Sequence, residues 1–348
     1  MKDRRLISVI AIAVFALLTG STGLSAQDDA APAKKAQHHH YKLIDIGTFG
    51  GPSSNLALSD GVFSPGAVNQ VLNNHGTIVG WGDTPTLDPY GSNPLGCFSP
   101  FSQDCFLPVA FQWQKGVLTD LGVLPGGDAS DAVWISDGGL IAGQGRNGLL
   151  DPLIPGWAEV RAVLWKDGEA IDLGTLGGNE SSAFSVNNRG QVVGAAVNTI
   201  PDPFSFYVTQ IRAFLWQDGA MQDLGTLGGP EAWALFVNER GQVAGFSMTN
   251  ATVNPITMSP TTDPFLWEHG TMRDLGTLGG TLGAPYDLNN RGQIVGTSNL
   301  AGDSTEHPFL WPGMNGKMQD LGTLGGSFGI ALETHPGTRV FEPKISVT

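Results

Sequence analysis

The sequence predicts an all-β fold, a β-propeller-like ring of four-stranded repeats with five or six blades. Three observations carry that reading. Gly (49) and Pro (22) supply about a fifth of the 348 residues, while charged residues reach only 14%, against roughly 25% in an average soluble domain. Three short phrases recur together at a period near fifty residues, the range of propeller blades and stacked β-repeats. Each phrase is a short apolar run bounded by turn residues, which is the pattern of strands rather than helices.

The N-terminus stands apart from the repeats. Lys2, Arg4 and Arg5 precede an apolar run over residues 6–18, and small or polar residues follow up to Leu24-Ser25-Ala26. This is the layout of a secretory signal peptide, with cleavage expected after Ala26 and a run too short for a spanning helix. Cleavage there leaves 15 basic against 31 acidic residues, a balance that argues against nucleic acid or an anionic membrane as partner. No later stretch is apolar enough to span a bilayer, so the expected product is an exported monomer without a transmembrane segment. Residues 27–40 (QDDAAPAKKAQHHH) read as a flexible leader, and residues 41–348 as one repeat domain.

The repeats are explicit. Asp-Leu-Gly-Thr-Leu-Gly-Gly begins at Asp172, Asp223, Asp274 and Asp320, with weaker copies from Asp45 and Asp120, at separations of 75, 52, 51, 51 and 46. An apolar phrase ending in Trp precedes five of them, at Trp113, Trp165, Trp216, Trp267 and Trp311. A third phrase follows, as VNNRGQVVG from Val186, VNERGQVAG from Val237 and LNNRGQIVG from Leu288, with degenerate forms from Leu72 and Ile135. The units fall near residues 41–80, 109–143, 161–194, 212–245, 264–296 and 308–326, followed by a degenerate tail over 327–348.

Within a unit, the Trp phrase, a polar turn such as Gln217-Asp218-Gly219 and the Asp-Leu-Gly strand form one hairpin. The third phrase forms another, turning at Asn187-Asn188-Arg189-Gly190, and the Gly-Gly pair is expected to join the two hairpins. Phrases such as Ala162-Val163-Leu164-Trp165 are apolar on both faces, as in strands covered on both sides. The five Trp are therefore read as packing residues, with carbohydrate stacking the alternative. The repeated Asp120, Asp172, Asp223, Asp274 and Asp320 are read as turn-fixing acceptors, with a cation-binding ring of carboxylates the alternative. Six Asp-Leu-Gly blocks but five Trp phrases leave five blades with a surplus strand or six with a frayed last one. The count leans to six.

These phrases resemble the HAF-repeat family of bacterial extracellular proteins, named for a His-Ala-Phe tripeptide opening each unit; the match covers residues 41 to about 326. The tripeptide stands here as Val109-Ala110-Phe111, Arg161-Ala162-Val163, Arg212-Ala213-Phe214, Asp263-Pro264-Phe265 and His307-Pro308-Phe309. Loss of His in four units tells against a repeated function for it. The resemblance implies export and a bacterial source, and no particular reaction.

Chemistry-bearing motifs are sparse. There is no Gly-x-Ser-x-Gly elbow, phosphate loop or His-Glu-x-x-His helix, so no catalytic residue, metal or cofactor is expected. Cys97 and Cys105 are the only cysteines, and an even count in an exported chain favours a disulfide, worth about 2.5 kcal/mol by loop entropy. Variation concentrates in Pro-, Asn- and Thr-rich segments between units, residues 144–160, 195–211, 246–263 and 297–306. They are expected on one face, with a polar rim that includes Asp151, Asp202 and Asp263, each followed by Pro. The leading expectation is a non-catalytic binding scaffold presenting these segments to an extracellular glycan or surface protein. A polysaccharide hydrolase or lyase, which needs converging carboxylates, and a purely structural surface element are the alternatives.

Overall fold

The computed structural model describes residues 43–56, 70–90, 92–93, 96–97, 105–313 and 316–331. The signal peptide, its cleavage at Ala26, the leader and the tail beyond 331 lie outside the described residues. The chain divides into two units, Met1–Ile44 and Asp45–Thr348, and the strands among the described residues belong to the second.

Strands form where apolar phrases run between turns that accept positive φ. At Gly190 φ is +76°, which lets the Asn187-Asn188-Arg189-Gly190 loop reverse the chain without a Cβ clash. The first sheet contains β1 (Ser54–Asn55), β2 (Ile78–Leu87), β5 (Phe106–Gln114) and β6 (Val117–Asp120). Between β2 and β5, β3 (Ser92–Asn93) and β4 (Gly96–Cys97) pair as a small ladder of their own. The second sheet holds β7 (Ser130–Ile135), β8 (Ile141–Leu150), β9 (Ala158–Lys166) and β10 (Glu169–Asp172). The third holds β11 (Ser181–Val186), β12 (Val192–Pro201), β13 (Thr209–Gln217) and β14 (Ala220–Asp223). The fourth has β15 (Ala232–Val237), β16 (Val243–Val253), β17 (Pro260–Glu268) and β18 (Thr271–Asp274). The fifth has β19 (Gly279–Leu288), β20 (Ile294–Leu300), β21 (Glu306–Trp311) and β22 (Gln319–Asp320). A single parallel pair, Thr262 with Leu282, stitches the last two together.

The fold is thus β-propeller-like, and the described residues form five four-stranded antiparallel sheets rather than the six toward which the repeat count leans. The first Asp-Leu-Gly-type phrase, at Asp45, leads into the first sheet instead of completing one, so the phrases outnumber the sheets by one. The repeat phase also differs from expectation. The Trp phrase and the Asp strand are the third and fourth strands of a sheet, and the Gly-Gly link carries the chain into the first strand of the next. A sequence unit such as 161–194 therefore joins the outer half of one sheet to the inner half of its successor.

First strands converge: β7, β11, β15 and β19 pack consecutively, and Trp134 of the second sheet meets Phe236 of the fourth edge-on at 6.0 Å. One core cluster draws Phe184, Leu235, Phe246, Ile294 and Trp311 from three sheets. Trp165, Trp267 and Trp311 are buried, whereas Trp113 and Trp216 are half-buried, so the five equivalent Trp are not equally enclosed. Arg273 lies 5.6 Å over the Trp311 ring.

The glycine of the Val-Val-Gly phrase has a steric reason. First strands shift register beside it, between Ala183 and Ser185 in the third sheet, and a Cβ at Gly194 would run into the Ser182 carbonyl oxygen and the Phe214 ring. Gly80, Gly143, Gly245 and Gly296 meet the equivalent carbonyls of Asn55, Asp131, Trp233 and Ala284. Gly194→Ala is expected to cost about 1–3 kcal/mol by overpacking, read as a lower urea midpoint; an unchanged midpoint contradicts the close approach.

At one end of the sheets, asparagines hand the chain from neighbour to neighbour. Asn187 Oδ1 accepts from Arg189 N and Gln191 N within its own turn, while its Nδ2 donates to Asn238 O at 2.9 Å. Asn238 repeats this toward Asn289 O at 3.0 Å, and Asn73 Nδ2 reaches Ser136 O at 3.3 Å. A side chain with both donor and acceptor is needed for that double duty.

Candidate functional site

The variable segments do not lie between units of the fold. Each is the connection between second and third strands of one sheet, so all emerge at the same end, opposite the asparagine turns. In four sheets the hairpin continues past the sheet after a register shift, at Asp83/Leu87, Arg146/Leu150, Val197/Pro201 and Met248/Val253. The fifth connection, after Leu300, is short and has no such shift.

Each of these hairpins bends over the following sheet. Asp88 of the first is held by Arg146 of the second through Nη1–Oδ1 at 2.9 Å and Nη2–Oδ2 at 2.7 Å, with the Arg146 guanidinium 5.0 Å from the Tyr90 ring centre. Asp151 of the second accepts from Asn179 Nδ2 of the third at 3.3 Å. Trp157 of the second hairpin packs edge-on against Phe206 of the third at 5.5 Å. Asn254 of the fourth donates to Thr281 Oγ1 at 2.8 Å and Asp303 Oδ2 at 2.9 Å in the fifth sheet.

The expected polar rim is inverted. Asp151 and Asp202 are buried and accept amides of their own turns, from Leu153 N and from Phe204 N. Asp263 is not in a hairpin tip; it lies within β17. On the outside of these hairpins stand Leu87, Leu150, Phe204 (85% exposed), Phe206, Ile256 and Met258.

Beneath the hairpins lies a tier of buried acids that sequence reasoning missed. Glu180 has no exposed surface; its Oε2 accepts from Val160 N at 2.6 Å, and its Oε1 has no hydrogen-bond partner among the described residues. Burial, reinforced by the Asp151 and Glu159 carboxylates and only partly offset by the Val160 amide and Arg161, pushes its carboxyl up to about 9. Burial likewise raises the equivalent Glu231 to about 7, with Asp202 adding to the rise and the nearby Ser205 hydroxyl and Ile211 amide offsetting it. Asp131, wholly buried beside Gln144, is pushed up to about 8 by desolvation. Tyr207, buried between the hairpins, is raised well above its usual range by burial and by Glu180 and Asp151. These buried acids are thus sealed under the hairpins.

The repeated aspartates all make one contact: Asp120, Asp172, Asp223, Asp274 and Asp320 each accept, through Oδ1, the amide of the glycine two residues on, at 2.7–2.8 Å. They also face the position of the tripeptide His. Arg212 lies 3.2 Å from Asp223, and His307 Nδ1 lies 2.9 Å from Asp320, whereas Arg161 turns to Glu159 at 2.6 Å. In the fourth sheet Asp263 occupies this position, and burial together with the Asp274 carboxylate raises its pKa to about 7. Asp263→Arg, copying Arg212, is expected to raise the melting temperature by about 2–4 °C near pH 8, the equivalent of about 1 kcal/mol, and to do so less below pH 4. A lower melting temperature at pH 8 contradicts this account.

Of the Cys97 and Cys105 pair, the side chain of Cys97 lies outside the described residues. Among the described residues no helix is long and apolar enough to cross a membrane.

No protein-family model matches the chain, and no curated protein matches it. Solved structures similar to it include the β-propeller domain of the trilobed protease from Pyrococcus furiosus, at 10% identity and a TM-score of 0.41, over 74% of this chain and 71% of that one. TolB from Acinetobacter baumannii matches at 11% identity and a TM-score of 0.37, over 61% of this chain and 50% of that one. The acylaminoacyl peptidase of Pyrococcus horikoshii matches at 13% identity and a TM-score of 0.39, over 61% of this chain and 35% of that one.

Proposed function

We propose that this chain is an exported, non-catalytic binding scaffold of the HAF-repeat kind, which presents the hairpin end of its sheets to an extracellular glycan or surface protein. The observation that carries the proposal is the set of four long hairpins, differing in sequence, that leave one end of four successive sheets and are fastened to the next sheet beneath. Variable loops on a rigid repeat scaffold are where binding concentrates. The repeated Asp and Trp, one serving turns and the other packing, are scaffold residues in this reading.

The test presents the folded chain, beside a Phe204→Ser/Ile256→Ser variant, to a glycan array and to proteins extracted from bacterial envelopes. The expected result is a ligand retained by the chain and lost by the variant. Blank results on both, with folded protein, overturn the proposal. Export is checked on protein recovered from outside the cytoplasm. Its mass is expected to correspond to a chain starting at Gln27 and to fall by two hydrogens for a Cys97–Cys105 disulfide; two alkylatable thiols contradict the pairing.

A further inference from the structure

We infer that the hairpin face docks an uncharged, apolar segment of another protein rather than a glycan or a charged partner; this rests on the binding-scaffold reading above and narrows its ligand class. The hairpin segments 84–90, 147–157, 198–208 and 249–259 contain no Lys, Arg, His or Glu. Their acids are Asp88, Asp151 and Asp202, and all three are buried. These hairpin segments therefore expose no charge although the chain's formal net charge is −14. The partly exposed acids beside them are already engaged, Asp128 by Arg146 and Asp303 by Asn254, Thr281 and Asn299. That matches a partner without charge, because a charged group laid on this face would lose water and find no counter-ion.

The asparagine side chains that a sugar would draw on are already engaged. Asn147 donates to Glu159 Oε2 at 2.8 Å and accepts from Leu149 N. Asn198 bonds Gln210 Oε1 and Ile200 N, and Asn250 accepts from Thr252 N. Asn254 spends both donors on Thr281 and Asp303 and accepts from Ile256 N. Stacking on Phe204 alone lacks the hydrogen bonds that orient a saccharide. What remains outward is mainly aliphatic, aromatic and Met side chains, with the exposed Thr86, Thr199 and Thr252 among them. Protein interface cores are enriched in aromatics and Met and depleted in Lys, Glu and Asp.

The surface is also held in shape before any partner arrives. Trp157, Phe206 and Tyr207 form an edge-on chain at 5.5 and 5.1 Å across two hairpins, and Asp88 and Asn254 fasten two more. Preorganised apolar area binds without the entropy cost of ordering loops.

The test uses the full chain and three probes: a displayed library of random peptides, a glycan array and neutral phosphatidylcholine vesicles. Selected peptides are expected to be rich in Leu, Ile, Phe and Trp and poor in charge. Their affinity is expected to hold between about 50 and about 500 mM salt and to fall at least about tenfold in Phe204→Ser/Ile256→Ser, as for loss of a hot spot. Leu150→Ser, on a different hairpin, gives a second reading should the double variant fold poorly. Charged, salt-sensitive peptides, a loop-dependent glycan or loop-dependent sedimentation with vesicles each overturn this inference while sparing the scaffold reading. A dimer that the variants dissociate overturns it in favour of a second copy. Loss of no probe in any variant overturns both.

Discussion

Arg146→Met is expected to cost about 3–5 kcal/mol, because it strands a buried carboxylate without its partner. Arg146 is 2% exposed and the Asp88 side chain 0%, so water cannot replace the two guanidinium bonds. A third contact, to Asp128 at 3.3 Å, adds little because that carboxylate is partly solvated. The double variant Asp88→Asn/Arg146→Met removes both charges, keeps an acceptor for Tyr90 N, which Asp88 Oδ1 now bonds at 2.9 Å, and should recover most of the loss. Urea unfolding of the two single variants and the double variant measures the coupling directly. A loss below about 1 kcal/mol for Arg146→Met contradicts the buried-pair account.

Stability is expected to fall as pH rises from about 5 towards 9, and Glu180→Gln is expected to flatten that fall. Glu180 ionises near 4.5 in the unfolded chain but holds its proton to about 9 when folded. Across that interval the folded state binds more protons, so each pH unit favours unfolding by about 1.4 kcal/mol until the folded carboxyl itself ionises. Gln keeps an oxygen for Val160 N and removes the titration. The variant is therefore expected to match the parent near pH 4 and exceed it by several kcal/mol at pH 8, at about 1.4 kcal/mol per unit. Asp131 at about 8, and Glu231 and Asp263 at about 7, slope the same way, so a residual decline persists. Parallel melting profiles from pH 4 to 9 for parent and variant contradict the role of Glu180.

The strands and the turns were legible in the sequence because they depend on near neighbours, whereas the glycine of the Val-Val-Gly phrase was not, because the Ser182 carbonyl and the Phe214 ring that crowd Gly194 come from adjacent strands. The polar turn before Gly190 and the double-faced apolar phrase ending at Trp165 each carry their geometry locally. Phase was not legible, since a periodic pattern has no marked beginning: whether Asp172 ends a sheet or sits mid-unit depends on which strand pairs with β9. The inward turn of the hairpin acids was hidden for a related reason. A register shift reverses which side chains face the sheet, and nothing in the residues around Asn147 or Asn198 announces one. A signal did exist in Leu87-Asp88-Pro89, Leu150-Asp151-Pro152 and Val253-Asn254-Pro255, where an outward hydrophobe precedes an inward Asp or Asn at the same offset. The pairing of Arg212 with Asp223 and His307 with Asp320 was likewise open to a reader who compared the fifth-repeat His with the Asp downstream.

The fastenings between sheets differ where the sheets themselves are nearly alike. Asp88 requires Arg146, Asn254 requires Thr281 and Asp303, and Asp151 sits over Glu180 where the second sheet offers Ala129. Chains of near-identical repeats risk docking out of sequence during folding, since any blade can cover any other. Here Asp88 set on another sheet would lose the Arg146 guanidinium, and Asn254 set on another would lose Thr281 and Asp303. Such losses favour the native order of the blades, and that order is written in the parts of the repeat that vary.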